Sequence, residues 1–129
     1  MIPLIINAGE DTPDIYLDPR TGKLEFSGSS MPENAVRFYK PVMNWLEEYT
    51  KNPKPTTDIV FRMTILNTSS SKVFYDIFKK IDKLGEDCKT KVKVSWYYSF
   101  FDDEVREQGH DYKNSVNVPF ELVLIDNES

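Results

Sequence analysis

The sequence predicts an α/β fold, a single domain over residues 1–129 built on a mixed β-sheet with an N-terminal hairpin and about three helices. Three observations predict it. From Ser30 onward, stretches with helical spacing of apolar residues alternate with β-branched and aromatic stretches, the pattern of helices crossing over between parallel strands. Before Ser30, two short strand-like runs flank the turn signal Pro19 to Gly22, which adds antiparallel pairing. The 129 residues, 40% hydrophobic and 13% aromatic, suit one core rather than two.

Taken in order, "PLII", "DIYLD" and "KLEFSG" read as short strands, and Leu24 and Phe26 alternate with Lys23 and Glu25, so the hairpin buries one face. Ser30 and Glu33 stand at capping-box spacing with Pro32 in what would be the first turn, which predicts a helix start there. Ala35, Tyr39, Val42, Leu46 and Tyr49 continue it at helical spacing, with Pro41 inside removing one backbone hydrogen bond and bending the helix. "TKNPKPTT" reads as a loop. "TDIVFRMTIL" reads as an interior strand with Ile59, Phe61, Met63 and Ile65 on one side.

After a hydroxyl-rich junction, Val73, Phe74, Ile77, Phe78, Ile81 and Leu84 mark a second helix, closed by Gly85 as C-cap. Val73, Ile77 and Ile81 are expected to pack it on the sheet, leaving Lys72, Asp76, Lys79 and Lys80 near solvent. "KVKVSWYYSF" alternates Val92, Val94, Trp96 and Tyr98 with a polar side; "DDEVREQGHDY" opens with acids that suit a helix N-terminus; "PFELVLI", with Leu122 and Leu124, is the last strand. The terminal "DNES" reads as free to fray.

The charge is −5 and the pI about 4.9, which argues against a nucleic-acid or anionic-membrane surface, since both need clustered cations. Cys88 is the single cysteine, so neither an intramolecular disulfide nor a cysteine zinc site is expected, and a reducing compartment fits. The short apolar run at the start lacks a basic flank and a cleavage-like site, so a cytoplasmic location is expected. His110 is the single histidine and reads as a surface residue; Asp102, Asp103 and Glu104 read as ordinary complements of a helix dipole. No cofactor or metal is implied.

The junction itself is "ILNTSSSK", an asparagine and four consecutive hydroxyl residues between a strand and a helix. One side-chain oxygen is enough to cap a helix, and Ser69 or Ser70 would serve. Four hydroxyls leave room for a second role. A phosphate-cradling site for a nucleotide or other anion, or a small enzyme using the same helix N-terminus, is the alternative, although the segment has no glycine and no P-loop pattern.

Three segments, "TPDIYLDPRTGKLEFSGSSMPENAVRFYKPVMNWLEEY", "NTSSSK" and "VSWYYSFFDDEVREQG", in this order and spacing, resemble those of the SiaC family of bacterial regulatory phosphoproteins over nearly the whole chain. Phe100 and Phe101 make the third segment more apolar than the family pattern. The resemblance implies a partner-switching protein that catalyses nothing. It is phosphorylated on Thr68 by a dedicated kinase and dephosphorylated by a PP2C-type phosphatase, and its unphosphorylated form binds an effector such as a diguanylate cyclase, promoting cyclic-di-GMP synthesis. The element order is also similar to the STAS-type anti-sigma-factor antagonists, whose modified residue sits where a strand hands over to a helix. On this reading Asn67, Ser69, Ser70, Lys72, Asp76 and Lys79 form the partner-binding surface around Thr68.

Overall fold

The computed structural model describes residues 1–87 and 89–125 as a single mixed α/β domain. Its elements are β1 (Leu4–Ile6), β2 (Asp14–Asp18), β3 (Lys23–Ser30), α1 (Ala35–Tyr49), β4 (Thr56–Leu66), α2 (Thr68–Glu86), β5 (Lys91–Ser99), α3 (Asp103–Ser115) and β6 (Phe120–Ile125). Cys88 and the terminal "DNES" lie outside the described residues. Among the described residues no helix is long and apolar enough to cross a membrane.

The strands form one sheet in the order β1-β2-β3-β4-β5-β6. β1 to β3 pair antiparallel and β3 to β6 pair parallel, as the hairpin and the strand–helix alternation predict. The β2–β3 turn is held by Asp18, whose carboxylate accepts the Arg20 amide at 2.9 Å and whose carbonyl accepts the Gly22 amide at 3.0 Å. Gly22 has φ 75°, and a Cβ there would fall 2.2 Å from Thr56 O, so this position takes no side chain.

Because each parallel crossover joins neighbouring strands, crossovers of one hand place α1, α2 and α3 on the same face. That face carries the core: Leu24, Phe26, Ile59, Phe61, Val92, Val94 and Trp96 from the sheet meet Tyr39, Leu46, Phe74, Ile77, Phe78, Ile81 and Tyr112 from the helices, all buried. Aromatic rings dominate its centre, with Phe26 and Phe61 stacked at 4.6 Å and Phe78 at 4.8 Å from Tyr112. Burying rings of this size contributes roughly 1.5–3 kcal/mol each.

Four details depart from the sequence reading. α1 is capped by Asn34, which accepts the Arg37 amide at 3.0 Å, so Ser30 and Glu33 form no capping box: Ser30 is still the last residue of β3, and Pro32 precedes the helix. β4 begins at Thr56, taking two residues from the expected loop. In β4 the register with β3 slips between Gly28 and Ser29, which pair with Met63 and Ile65, so Thr64 is an extra residue. The bulge reverses the alternation, leaving Ile65 40% exposed and Leu66 4%. Finally, α2 runs through Gly85 to a right-handed cap at Asp87. Gly85 is small because a Cβ would stand 2.6 Å from Val118 Cγ1, not because the helix ends there.

Candidate functional site at the rim of the sheet

The hydroxyl junction lies where β4 hands over to α2, at the carboxyl-terminal rim of the parallel strands. Asn67, in extended conformation (φ −76°, ψ 171°), is the cap; Thr68 is the first helical residue, and the three serines fill the first turn. The cap is therefore two residues before Ser69 and three before Ser70, the serines considered from sequence. Asn67 Oδ1 accepts the Ser70 amide at 2.9 Å and the Ser69 hydroxyl at 3.3 Å, and Asn67 Nδ2 donates to Pro32 O at 3.2 Å.

The serine hydroxyls do not serve backbone N–H groups, as sequence reasoning expected; they donate or pair elsewhere. Ser71 Oγ donates to Thr68 O at 2.8 Å. Ser70 is fully buried, and its Oγ lies 2.8 Å from Ser30 Oγ, which in turn lies 2.6 Å from Tyr39 OH. Burial pushes the Tyr39 phenol well above its ordinary range against the opposing Ser30 hydrogen bond, so it stays neutral. From α3, Tyr112 OH donates to Ser71 O at 2.8 Å. Thr68 is the exception: it is exposed, and among the described residues its hydroxyl has no hydrogen-bond partner.

Of the other residues singled out, Ser69 is exposed, Asn67 is half-buried and Ser70 offers a partner no surface in this conformation. Lys72, Asp76 and Lys79 are exposed along α2. Lys80 is half-buried and paired with Glu47 of α1, whose carboxyl it holds below the usual range through a hydrogen bond and its charge. It belongs to the α1–α2 seam. His110 is exposed on α3, and Asp102 precedes that helix without making a side-chain cap.

The strand ends on this rim carry neutral side chains, with the carbonyl of exposed Asp11 accepting the Met31 amide at 2.7 Å and exposed Lys72 one turn along α2. Ser29 and Thr64 pair through their hydroxyls at 3.0 Å, and Met31 and Ile65 are exposed. Further along the same rim, Phe100 is 68% and Phe101 81% exposed. With Tyr98, Leu124, Asp103 and Arg106 they line an open cleft of about 530 Å³. Sequence reasoning missed Ser30, Tyr39 and Tyr112 as part of this site. The available signal was weak: a tyrosine in an apolar stripe needs a partner for its hydroxyl when buried.

A family described as SiaC family regulatory phosphoprotein matches residues 6–125. The chain is 27% identical over 122 residues to an uncharacterized protein of Pseudomonas aeruginosa (strain UCBPP-PA14), a match covering 95% of this chain and 96% of that one. It is similar to the crystal structure of apo-SiaC from Pseudomonas aeruginosa, with TM-score 0.88, 27% identity, and 95% and 99% of the two chains covered. It is also similar to a chain in the crystal structure of the diguanylate cyclase SiaD in complex with its activator SiaC from the same organism, with TM-score 0.87, 26% identity, and 95% and 99% covered.

Proposed function

The chain belongs to the SiaC family of regulatory phosphoproteins, and on that premise we propose that it is a non-enzymatic, cytoplasmic switch phosphorylated on Thr68. A kinase adds the phosphate, a PP2C-type phosphatase removes it, and the unphosphorylated form binds an effector, a diguanylate cyclase being the partner class suggested by the SiaD–SiaC complex. The observation that carries the assignment is the state of the four hydroxyls: the three serines are engaged with Asn67, Ser30 and the Thr68 carbonyl, and Thr68 alone is exposed and unpartnered among the described residues.

Phosphorylation there adds about −1.5 to −2 charge at the first turn of α2, where free N–H groups and the helix dipole favour an anion, so the domain keeps its fold. A partner fitted to the neutral side chains of Ser29, Thr64, Ile65 and Thr68 instead meets a charge it has no group to match, at a cost of roughly 2–5 kcal/mol, enough to release it. The exposed α2 face with Lys72, Asp76 and Lys79 adjoins the switch and extends the docking surface.

Intact-mass analysis and phosphopeptide mapping of protein made in its native host, with and without phosphatase treatment, test the reading. A phosphoryl group on Thr68 is expected, absent in Thr68→Ala, which stays in the effector-binding state. Thr68→Asp, with a single negative charge, mimics the phosphorylated state incompletely. Phosphate on a serine in a Thr68→Ala protein that still switches its partner would overturn the assignment.

A further inference from the structure

The domain holds two buried hydroxyl chains of the same make-up, at opposite ends of the parallel strands. At the far end, Thr57 Oγ1 lies 2.9 Å from Tyr49 OH and 2.7 Å from Thr90 Oγ1. At the rim, Ser30 Oγ lies 2.6 Å from Tyr39 OH and 2.8 Å from Ser70 Oγ. In each, a strand hydroxyl stands between a tyrosine of α1 and a third hydroxyl, and all six residues are buried. Apolar side chains of similar size would fill these places without desolvating any hydroxyl. What a hydroxyl chain adds is direction: it is fully satisfied in one relative placement of its members only.

The rim chain differs from its twin in what it holds. Ser30 fixes the start of α2 twice, its carbonyl accepting the Asn67 amide at 3.0 Å and its side chain meeting Ser70. One bond lies just before Thr68 and the other two residues after it. The chain on both sides of Thr68 is therefore tied to a single residue of β3, while the Thr68 hydroxyl has no partner among the described residues.

We infer that Ser30 and Ser70 are positioning residues for phosphorylation of Thr68, holding the acceptor turn in the geometry the kinase recognises; this rests on the function proposed above. In the step concerned, the Thr68 oxygen bonds to the γ-phosphorus of a nucleoside triphosphate as the bond from that phosphorus to the β,γ-bridging oxygen breaks, the hydroxyl proton passes to a base of the kinase, and the nucleoside diphosphate leaves. The kinase supplies the chemistry. This chain supplies an acceptor oxygen on a clamped backbone, and a misplacement of about 1 Å in such a step can slow it about 100-fold.

The test compares wild type, Ser30→Ala, Ser70→Ala and Thr57→Val, each purified, dephosphorylated and incubated with clarified host extract and ATP. Thr68 phosphorylation is followed by phosphopeptide mapping over a range of protein concentrations, and amide hydrogen exchange over residues 67–71 is measured in parallel. Ser30→Ala and Ser70→Ala are expected to slow Thr68 phosphorylation roughly 10- to 100-fold, with a fall in the saturating rate, and to speed exchange in the first turn of α2. Ser70→Ala leaves Ser30 bonded to Tyr39 and carries the test should Ser30→Ala not fold. Thr57→Val, a matched loss of one buried hydroxyl at the far end, lowers the melting temperature but leaves the phosphorylation rate unchanged. Wild-type rates in both rim variants, or an equal loss in Thr57→Val, would overturn the positioning role while leaving Thr68 as the acceptor. Absence of phosphate on wild-type Thr68 would remove the proposed function and this inference with it.

Discussion

Replacing Gly109 by alanine sets two physical effects of opposite sign against each other. Gly109 lies in α3, where alanine is favoured over glycine by about 1 kcal/mol, so helix propensity alone predicts a more stable protein. A Cβ at this position, however, would fall 2.4 Å from Trp96 Cδ1, 2.6 Å from Trp96 Nε1 and 2.7 Å from Leu122 Cδ2. The indole has nowhere to go: Trp96 is fully buried, 5.3 Å from the Tyr112 ring and 5.4 Å from Phe61, and its Nε1 donates to Val105 O at 3.0 Å. Overpacking of this kind costs about 1–3 kcal/mol, and displacing the indole from its buried hydrogen bond costs about 1–3 kcal/mol more. After the propensity gain the net loss is about 1–5 kcal/mol, and at roughly 4 °C per kcal/mol for a domain of this size the melting temperature should fall by at least about 4 °C. Thermal and urea unfolding of the two proteins read the answer. A melting temperature at or above wild type would show that α3 shifts freely on the sheet, and the close seating of α3 described here would be wrong. That seating matters to the site because Tyr112, one turn further along α3, holds the carbonyl of Ser71.

Four further outcomes follow from the same geometry. Asn67→Ala removes the cap of α2 and should cost about 0.5–2 kcal/mol in urea unfolding, whereas Ser69→Ala should cost less, the reverse of what a serine cap would give. Leu66→Ala should cost about 2–5 kcal/mol and Ile65→Ala much less; equal losses would contradict the bulge at Thr64. Burial raises the Tyr39 and Tyr112 phenols in the folded state, so their contribution to stability is complete below the unfolded value of about 10 and is lost as pH rises beyond it. Tyr112→Phe should flatten that alkaline fall in stability, and an unchanged slope would show that this phenol is not the group responsible. Charge reversal at the exposed Lys72 and Lys79 should weaken binding of the kinase or effector with little change in melting temperature; binding that survives both places the docking surface elsewhere on the rim.

Most of the fold was legible because each element repeats its own period: Val92, Val94 and Trp96 alternate, and Val73, Ile77, Ile81 and Leu84 recur at helical spacing. The errors share one cause, which is that they were decided by residues distant in sequence. The slip at Thr64 is invisible along β4 because Ile65 and Leu66 are both apolar, and only the pairing with β3 says which is inside. Gly85 carries the chemistry of a helix stop, yet Val118 is what requires it to be small. At the junction, Asn67 and the serines are all good caps, and the choice falls to Asn67 because Ser70 is turned inward to Ser30, 40 residues earlier. The placement of Thr68 at a strand-to-helix junction was readable; the clamp beneath it was not.

The agreement of strand order with chain order bears on how the protein is made. Each strand pairs with the one synthesised just before it, so the sheet can grow by addition at its free edge and no strand has to be inserted between two that are already paired. During translation the clamp residues Ser30, Tyr39, Asn67 and Ser70 leave the ribosome early, but the last tie to the acceptor turn, from Tyr112 to Ser71, is 41 residues behind. The turn is thus complete only once α3 has been made, and on the proposed function a kinase that requires the complete turn would act only on chains that have reached Tyr112.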